Sequence, residues 1–182
     1  MTMDDDILEV LFNREELDKR VGELGEQISR DFAGREPVVA SVLRGSYIFM
    51  ADLTRKITIP CTVDFMAVSS YGKGTKSSGQ VEIKKDLSDS IAGRDLIIVE
   101  DILDSGNTLY YLRDVLWARK PRSISICTLL DKPARRQRDI QPNYSGFSIP
   151  DAFVVGYGLD YAEKYRNLPY IGVLKPEVYG GA

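Results

Sequence analysis

The order of apolar and polar residues predicts that strands and helices alternate along this chain. Short apolar runs have the length of buried strands, and the segments between them place apolar residues on one helical face. This alternation predicts an α/β fold with a parallel sheet that is covered by helices on both faces. The predicted strands are 37–43, 61–70, 95–100 and 123–130, and the predicted helices between them are 47–56 and 108–120.

The first helix is predicted over 13–32, where Asn13 and Glu16 form the sequence pattern of a capping box. Five apolar residues then recur at helical spacing, so one face of this helix should pack against the sheet. These residues are Leu17, Val21, Leu24, Ile28 and Phe32.

The C-terminal third has a different pattern, with short apolar runs interrupted by Pro and Gly. We expect a smaller irregular lobe here, packed over the sheet edge. The chain is therefore predicted to be one domain, 1–182, with a core at about 36–132 and a hood formed by the N-terminal segment and about 133–182. Between two predicted strands, Ser69 to Gln80 has the length and composition of a functional lid or of a disordered loop.

Composition narrows the possible functions. The chain has 182 residues, a formal net charge of −3 and a pI of about 5.1, which argues against a nucleic-acid partner. The basic clusters at 119–122 and 134–138 are then interpreted as solvated surface. No apolar run is long enough to span a membrane, and the acidic N-terminus does not resemble a targeting signal, so we expect a cytoplasmic protein. The absence of histidine excludes histidine bases and histidine metal sites.

The segment 97–109, IIVEDILDSGNTL, carries the most specific chemistry. Its apolar run ends in Glu100 and Asp101, and the loop that follows offers backbone N–H groups and hydroxyls to an anion at the start of the helix predicted at Thr108. Two adjacent carboxylates beside a bound phosphate could accept sugar hydroxyls or hold a hydrated Mg²⁺. The alternative is an ordinary strand end with a capped helix after it, since Asp, Ser, Gly and Asn are common at such positions.

Three loops should meet, because ligands of open parallel sheets bind at the carboxyl ends of the strands. They are LRGS (43–46), the predicted lid and the loop that begins at Glu100. Together they could form two anion sites with carboxylates between them. Neither a Walker phosphate loop nor a dinucleotide-binding fingerprint occurs in the chain.

These motifs resemble those of a known family. VEDILDSGNTL is similar to the phosphoribosyl pyrophosphate signature of the type I phosphoribosyltransferases, and the full set resembles the hypoxanthine phosphoribosyltransferase (hypoxanthine-guanine phosphoribosyltransferase) family in its bacterial form. The resemblance covers nearly the whole chain in the right order. The motifs are LRGS (43–46), SSYG (69–72), VEDILDSGNTL (99–109), LLDKP (129–133), GFSIPDAFVVGYGLDYAEKYR (146–166) and LPYIG (168–172).

The resemblance implies a purine-salvage transferase that moves the 5-phosphoribosyl group from phosphoribosyl pyrophosphate to N9 of hypoxanthine or guanine. The products would be IMP or GMP and pyrophosphate. Mg²⁺ is the implied cofactor, and a homodimer or homotetramer the implied assembly. A related enzyme for xanthine would share the same loop, and a regulator that senses the ligand and binds nucleic acid is a rival of another class.

The resemblance also implies a role for particular residues. Asp104 would manage the proton on purine N7, and one departure is Asn107, where some relatives carry a lysine. The implied phosphoribosyl pyrophosphate ligands are Arg44, Gly45, Glu100, Asp101, Asp104, Ser105, Gly106, Asn107, Thr108 and Arg166. The implied lid residues are Ser70 and Tyr71, and the implied purine ligands are Lys132, Phe153, Val154 and Asp160. The implied metal ligands are Glu100, Asp101 and Asp160.

Without the resemblance, ordinary alternatives exist for three of these residues. Lys132 could be a surface lysine, Phe153 a core aromatic residue, and Arg166 a solvated charge.

Overall fold

The computed structural model describes residues 2–70 and 81–180. Within these two ranges there are nine strands and four α-helices, together with short 3-10 turns at Met3–Asp6 and Pro133–Arg135. The strands are β1 (Ile7–Phe12), β2 (Val38–Leu43), β3 (Thr62–Ser70), β4 (Val81–Lys85), β5 (Asp95–Leu103), β6 (Ser123–Asp131), β7 (Tyr144–Ser148), β8 (Val154–Val155) and β9 (Ile171–Leu174). The helices are α1 (Arg14–Asp31), α2 (Tyr47–Lys56), α3 (Asn107–Trp117) and α4 (Pro176–Tyr179).

The main sheet has six strands in the order β4-β3-β2-β5-β6-β7. Strands β3, β2, β5, β6 and β7 are parallel, and β4 runs antiparallel to β3 at the edge. The predicted α/β fold with a parallel sheet is therefore confirmed. Because the five strands point the same way, the loops that follow them lie along one edge of the sheet.

Helices α1 and α2 cover one face of this sheet. The Asn13 side chain accepts a hydrogen bond from Glu16 N at 3.0 Å, and the Glu16 carboxylate accepts one from Asn13 N at 2.8 Å, so the predicted capping box is present. The predicted apolar face of α1 is buried, together with Ile97 and Val99 of β5. Local signals in the sequence thus fix where α1 begins and which side it buries.

Helix α3 covers the opposite face. Its Leu109, Leu112 and Leu116 are buried together with Leu96 and Ile98 of β5. Successive residues of a strand point to opposite faces, so both faces of β5 are covered, which explains why its sequence is continuously apolar.

A second sheet of three antiparallel strands has the order β1-β9-β8. The C-terminal third is therefore more regular than the predicted irregular lobe, because β8 and β9 form a sheet with the N-terminal strand. The main sheet also continues past the predicted core boundary near residue 132, since β7 pairs with β6.

Most of the predicted lid lies outside the described residues. Ser69 and Ser70 form the end of β3, and Tyr71 and the rest of the segment to Gln80 are not among the residues described. Within the part of the chain that is described, no helix combines the length and the apolar character needed to cross a membrane.

Candidate active site

A cavity of about 270 Å³ opens at the carboxyl edge of the main sheet. Its walls come from the ends of β2 and β5, the loops that follow them and the start of α3, with Val68 of β3 beside them. Glu100, predicted to begin the loop, lies within β5, which extends to Leu103. The cavity brings together predicted site residues from two distant parts of the sequence. These are Arg44, Gly45, Glu100, Asp101, Asp104, Ser105, Gly106 and Thr108.

The loop after β2 approaches the end of β5 closely. The peptide bond between Leu43 and Arg44 is cis. A Cβ atom placed on Gly45 would collide with the Asp101 carboxylate, so a residue with a side chain would displace one of the two loops. Glycine at this position lets the loop backbone lie directly against the carboxylate, as the sequence predicts.

Glu100 and Asp101 are neighbouring carboxylates in a dry environment. Burial, reinforced by the negative charge of Asp101, raises the pKa of Glu100 well above its ordinary value. Burial also raises the pKa of Asp101 to about 6, although a backbone hydrogen bond from Ile102 and the charge of Arg166 act in the opposite direction. Within residues 2–70 and 81–180, neither carboxylate forms a salt bridge with a lysine or arginine.

This pair fits a hydrated divalent cation better than a closed metal cage. No group of three or more Asp, Glu, Cys or His side chains in the described ranges has metal-site spacing. Asp160, predicted as a third ligand, instead lies 2.9 Å from Arg166 Nη2 and accepts a hydrogen bond from Glu163 N. Mg²⁺ commonly keeps several waters and takes one or two protein carboxylates plus substrate phosphates, which suits Glu100 and Asp101.

The start of α3 has the features of an anion cradle. Gly106 is the N-cap residue, with φ of +81°, and no side-chain hydrogen bond caps the helix. The helix begins at Asn107, one residue before the predicted Thr108, and Asn107 N donates to Ser105 Oγ at 3.3 Å. Ser105 therefore supplies a side-chain acceptor next to a glycine N-cap, and the positive end of α3 lies beside the cavity.

A basic segment, 134–138, supports this loop from the surface; its residues other than Arg136 are exposed, as the interpretation of a solvated surface predicts. Gln137 N donates to Ser105 O at 2.9 Å. Asn107 Nδ2 donates to Gln137 Oε1 at 3.0 Å, and Arg138 Nε donates to Asn107 Oδ1 at 2.8 Å. The contacts join residues about thirty positions apart, so no local sequence pattern predicts them.

Asp104 lies at the mouth of the cavity with one oxygen buried. Its Oδ1 is 3.1 Å from Arg135 Nε, but the geometry is not that of a hydrogen bond and Oδ1 has no other partner. Arg135 was not among the predicted site residues, because in the sequence it is one of several arginines in a basic cluster.

Lys132 is buried next to this loop. Only 7% of the residue is exposed, and its Nζ donates to Ala152 O at 2.6 Å and lies 3.6 Å from Asp151 Oδ1. The alternative of a surface lysine is wrong. A buried ammonium group at the carboxyl end of β6 is a donor held ready for an acceptor.

Phe153 is 39% exposed, so the alternative of a core aromatic residue is also wrong. Its ring stacks on Tyr179 with centroids 4.8 Å apart and meets the ring of Tyr161 at 5.6 Å. The next residue, Val154, is buried and pairs with Val173 between β8 and β9. Phe153 thus projects from a short strand whose backbone is held by the second sheet.

Arg166 connects the C-terminal loop to the cavity. Its Nη1 donates to Gly158 O at 2.8 Å, and only 18% of its side chain is exposed, so it is not a solvated charge. A Cβ atom at Gly158 would collide with Gly45 O, which places this loop directly against the loop after β2. Arg44, which is exposed, donates to Glu163 Oε1 at 2.7 Å across the same junction.

Comparison with known proteins matches this geometry to a family. The model of the phosphoribosyl transferase domain matches residues 9–162. The hypoxanthine-guanine phosphoribosyltransferase of Bacillus subtilis strain 168 is 55% identical over 97% of this chain and 98% of its own length. The chain belongs to the hypoxanthine-guanine phosphoribosyltransferase family. A crystal structure of a hypoxanthine phosphoribosyltransferase from Staphylococcus aureus has a TM-score of 0.95, 52% identity, and coverage of 97% of this chain and 96% of the other.

Some members of the hypoxanthine-guanine phosphoribosyltransferase family are longer. The bifunctional protein TilS/HprT of Listeria monocytogenes is 53% identical over 98% of this chain, and the chain spans 28% of that protein's length.

The family assignment leaves the roles of individual residues as predictions. The cavity gathers eight of the ten residues predicted for phosphoribosyl pyrophosphate, and Asn107 and Arg166 do not line it. Those predicted for the purine do not line it: Lys132 follows β6, Phe153 and Val154 lie at the start of β8, and Asp160 lies in the loop after β8. Ser70 is the last residue of β3, and Tyr71 lies outside the described part of the chain.

Proposed function

We propose that this protein transfers the 5-phosphoribosyl group of phosphoribosyl pyrophosphate to N9 of hypoxanthine or guanine, forming IMP or GMP and pyrophosphate in purine salvage. One observation carries the proposal. Glu100 is buried and Asp101 half-buried, neither has a salt-bridge partner in the described ranges, and both line the same cavity as Gly106, the N-cap residue of α3, which has no capping side chain. A ligand with hydroxyls, a bound cation and a terminal phosphate would satisfy all three groups.

In this proposal the cavity binds phosphoribosyl pyrophosphate along its length. The loop 104–108 surrounds the 5′-phosphate with backbone N–H groups and the hydroxyls of Ser105 and Thr108. Arg44 and the backbone of Gly45 bind the pyrophosphate, with Arg166 behind them.

Glu100 and Asp101 would hold Mg²⁺ through one or two carboxylate oxygens, while accepting hydrogen bonds from the ribose hydroxyls. When bound, the ion supplies positive charge that stabilises the departing pyrophosphate. Asp160, already paired with Arg166, is proposed to act near a second ion and the purine.

The purine would lie between β6 and β8. Lys132 Nζ donates to O6, which distinguishes a 6-oxopurine from a 6-aminopurine because an ammonium group can only donate. Phe153 stacks on the ring, and the backbone of Val154 meets the edge of the base.

Asp104 is proposed to hold and accept the proton on N7. As N9 attacks the ribose, the purine becomes more positive and the N7 proton more acidic, so a carboxylate at N7 stabilises the transition state more than the ground state. Closure of the predicted lid, with Ser70 and Tyr71, would keep water from the ribose cation. The proposed setting is a cytoplasmic homodimer or homotetramer.

The test offers the purified protein phosphoribosyl pyrophosphate and Mg²⁺ with hypoxanthine, guanine, xanthine or adenine in separate reactions. Pyrophosphate release and nucleotide formation are measured together. We expect both with hypoxanthine or guanine and neither with adenine. Turnover with none of the 6-oxopurines would overturn the proposal, and turnover with xanthine alone would replace it with the related xanthine enzyme.

A further inference from the structure

The guanidinium of Arg135 lies between two carboxylates from different loops. Its Nε is 3.1 Å from Asp104 Oδ1, and its Nη1 is 3.3 and 3.5 Å from the two oxygens of Asp151. Asp104 follows β5, Arg135 ends the 3-10 turn after β6, and Asp151 lies between β7 and β8. One side chain therefore connects three loops at the edge of the proposed purine site.

Asp151 is also the nearest carboxylate to a buried cation. Lys132 Nζ lies 3.6 Å from its Oδ1, and Lys132 is 7% exposed. A buried ammonium group is costly without a countercharge, so Asp151 stabilises Lys132 as well as Arg135. The four side chains form a row of alternating charge: Asp104, Arg135, Asp151, Lys132.

Arg135 and the purine compete for Asp104. In the proposed reaction the N7–H group of the purine donates to Asp104, which the guanidinium approaches in this structure. The contact between Arg135 and Asp104 does not have hydrogen-bond geometry, whereas Arg135 Nη1 donates hydrogen bonds to both carboxylate oxygens of Asp151. A guanidinium has five donors in a planar fork, so it can keep a carboxylate partner at Asp151 while Asp104 turns to N7.

We propose that Asp151 and Arg135 are positioning residues for the transfer. Asp151 retains Arg135 when the purine binds, which frees the Asp104 carboxylate for N7, and it keeps Lys132 aligned toward O6. The inference rests on the proposed function, because it assigns the row of charges to a 6-oxopurine and to Asp104 as the proton acceptor.

The inference predicts that removing Arg135 has opposite effects in two backgrounds. In Asp151→Asn the guanidinium has lost its charged alternative and stays on Asp104, so kcat/KM for hypoxanthine should fall about 10-fold or more, the scale of one charge-assisted hydrogen bond. Adding Arg135→Gln to that variant should raise kcat/KM again by about 3-fold or more. Arg135→Gln alone should lower kcat/KM, because the side chain that connects the three loops is then lost.

The experiment measures kcat and KM for hypoxanthine and for phosphoribosyl pyrophosphate in the wild type, both single variants and the double variant. Asp151→Glu, which keeps the charge, should stay within about 3-fold of the wild type, and Arg30→Gln on α1 is the matched control for loss of an arginine. The KM for phosphoribosyl pyrophosphate should change less than about 2-fold in all of them, because the row lies on the purine side. Thermal unfolding of each variant checks that it is folded.

Two results separate the inference from the proposed function. If the wild type is active but Arg135→Gln lowers kcat/KM in both backgrounds, or Asp151→Asn matches the wild type, the positioning role is wrong and the proposed function stands. If the wild type turns over no 6-oxopurine, the proposed function fails and the inference fails with it.

Discussion

Strand β5 carries carboxylates near both of its ends, and their surroundings differ. At the amino end, Asp95 is 2% exposed and accepts hydrogen bonds from Arg122 Nη1 at 3.1 Å and Ser123 Oγ at 2.7 Å, with Arg35 Nη1 at 3.5 Å. At the carboxyl end, Glu100 and Asp101 have raised pKa values and form no salt bridge with the basic residues that the structure describes.

The difference separates a structural carboxylate from functional ones. A buried charge is tolerated when basic groups and hydrogen bonds compensate its desolvation, as they do around Asp95. Two carboxylates that repel each other in a dry cleft are unfavourable in the free protein, and perturbed pKa values of this kind concentrate at functional sites. We therefore expect changes at the carboxyl end to alter activity and changes at the amino end to alter stability.

The largest expected effect is loss of the divalent cation. Because Glu100 and Asp101 are proposed to share the cation with pyrophosphate, excess EDTA should reduce pyrophosphate release to background, and added Mg²⁺ or Mn²⁺ should restore it. The free energy of unfolding of the chelated protein should not fall, since the cation is not proposed to hold the fold together. Undiminished turnover in excess EDTA would contradict the proposal that Glu100 and Asp101 bind a divalent cation needed for the reaction.

The next effect concerns Asp104, at the same edge of the sheet. Asp104→Asn preserves the shape of the side chain but removes the proton acceptor, so kcat should fall by about 10²–10⁴-fold, the usual range for general acid–base catalysis. Single-turnover measurements would follow the chemical step, and direct binding of phosphoribosyl pyrophosphate should be largely kept. A normal chemical step, or collapse of binding alone, would make Asp104 a structural residue of the loop.

A smaller effect is expected from substitution of Lys132, whose ammonium group is buried at this edge of the sheet. Lys132→Ala removes one charge-assisted hydrogen bond to O6, so the ratio of kcat/KM for hypoxanthine over adenine should fall by the equivalent of about 1.5–3 kcal/mol. Lys175→Ala, which removes an exposed donor to Asp5 O, is a matched control and should leave the ratio unchanged. An unchanged ratio in Lys132→Ala would contradict the proposal that Lys132 donates a hydrogen bond to purine O6.

The smallest effect is a pH dependence of stability. The pKa of Asp101 is about 6 in the folded protein against an ordinary value of 3.8, so its contribution to stability is fully present below pH 3.8 and is lost as pH rises through about 6. Asp101→Asn has no carboxyl group to ionise at this position. The free energy of unfolding of this variant, relative to that of the wild type, should therefore increase by about 1–3 kcal/mol between about pH 4 and pH 7.

Asp64 supplies the contrast for this measurement. Burial alone would raise its pKa, but hydrogen bonds from Ser88 and Phe65 hold the pKa below its ordinary value. Its contribution to stability is present above pH 3.8 and is lost as pH falls below that value. The difference in free energy of unfolding between Asp64→Asn and the wild type should therefore stay level between about pH 4 and pH 7. Equal slopes for Asp64→Asn and Asp101→Asn in urea unfolding across this pH range would contradict the comparison.

Most of the main sheet and its helices follow from local sequence signals. The capping box of Asn13 and the helical spacing of 47–56 predict α1 and α2 because their causes lie within one or two turns. Strand β1 is not predicted, since it pairs with β9 at the other end of the chain. Strand β4 is a short edge strand in which only Val81 and Ile83 are apolar, so its pattern is weak.

The candidate site likewise contains some residues that the sequence predicts and others that it does not. The residues at the end of β5 are predicted because adjacent carboxylates before a Gly- and Ser-containing loop are chemically unusual. Arg135, Asp151 and Tyr179 are not predicted, because a single arginine, aspartate or tyrosine has no distinctive pattern in the sequence. Their contacts to Asp104, Lys132 and Phe153 come from the packing of separate loops.

The most direct test of the contrast between the two ends of β5 measures unfolding and pyrophosphate release on the same preparations of Asp95→Asn and Asp101→Asn at pH 7. Asp95→Asn should lose about 1–3 kcal/mol of free energy of unfolding, the value of hydrogen bonds to a charged group, and keep kcat/KM within about 3-fold of the wild type. Asp101→Asn should unfold at the same or higher free energy and lose about 100-fold or more in pyrophosphate release. A stable, inactive Asp95→Asn together with an unstable, active Asp101→Asn would contradict the account.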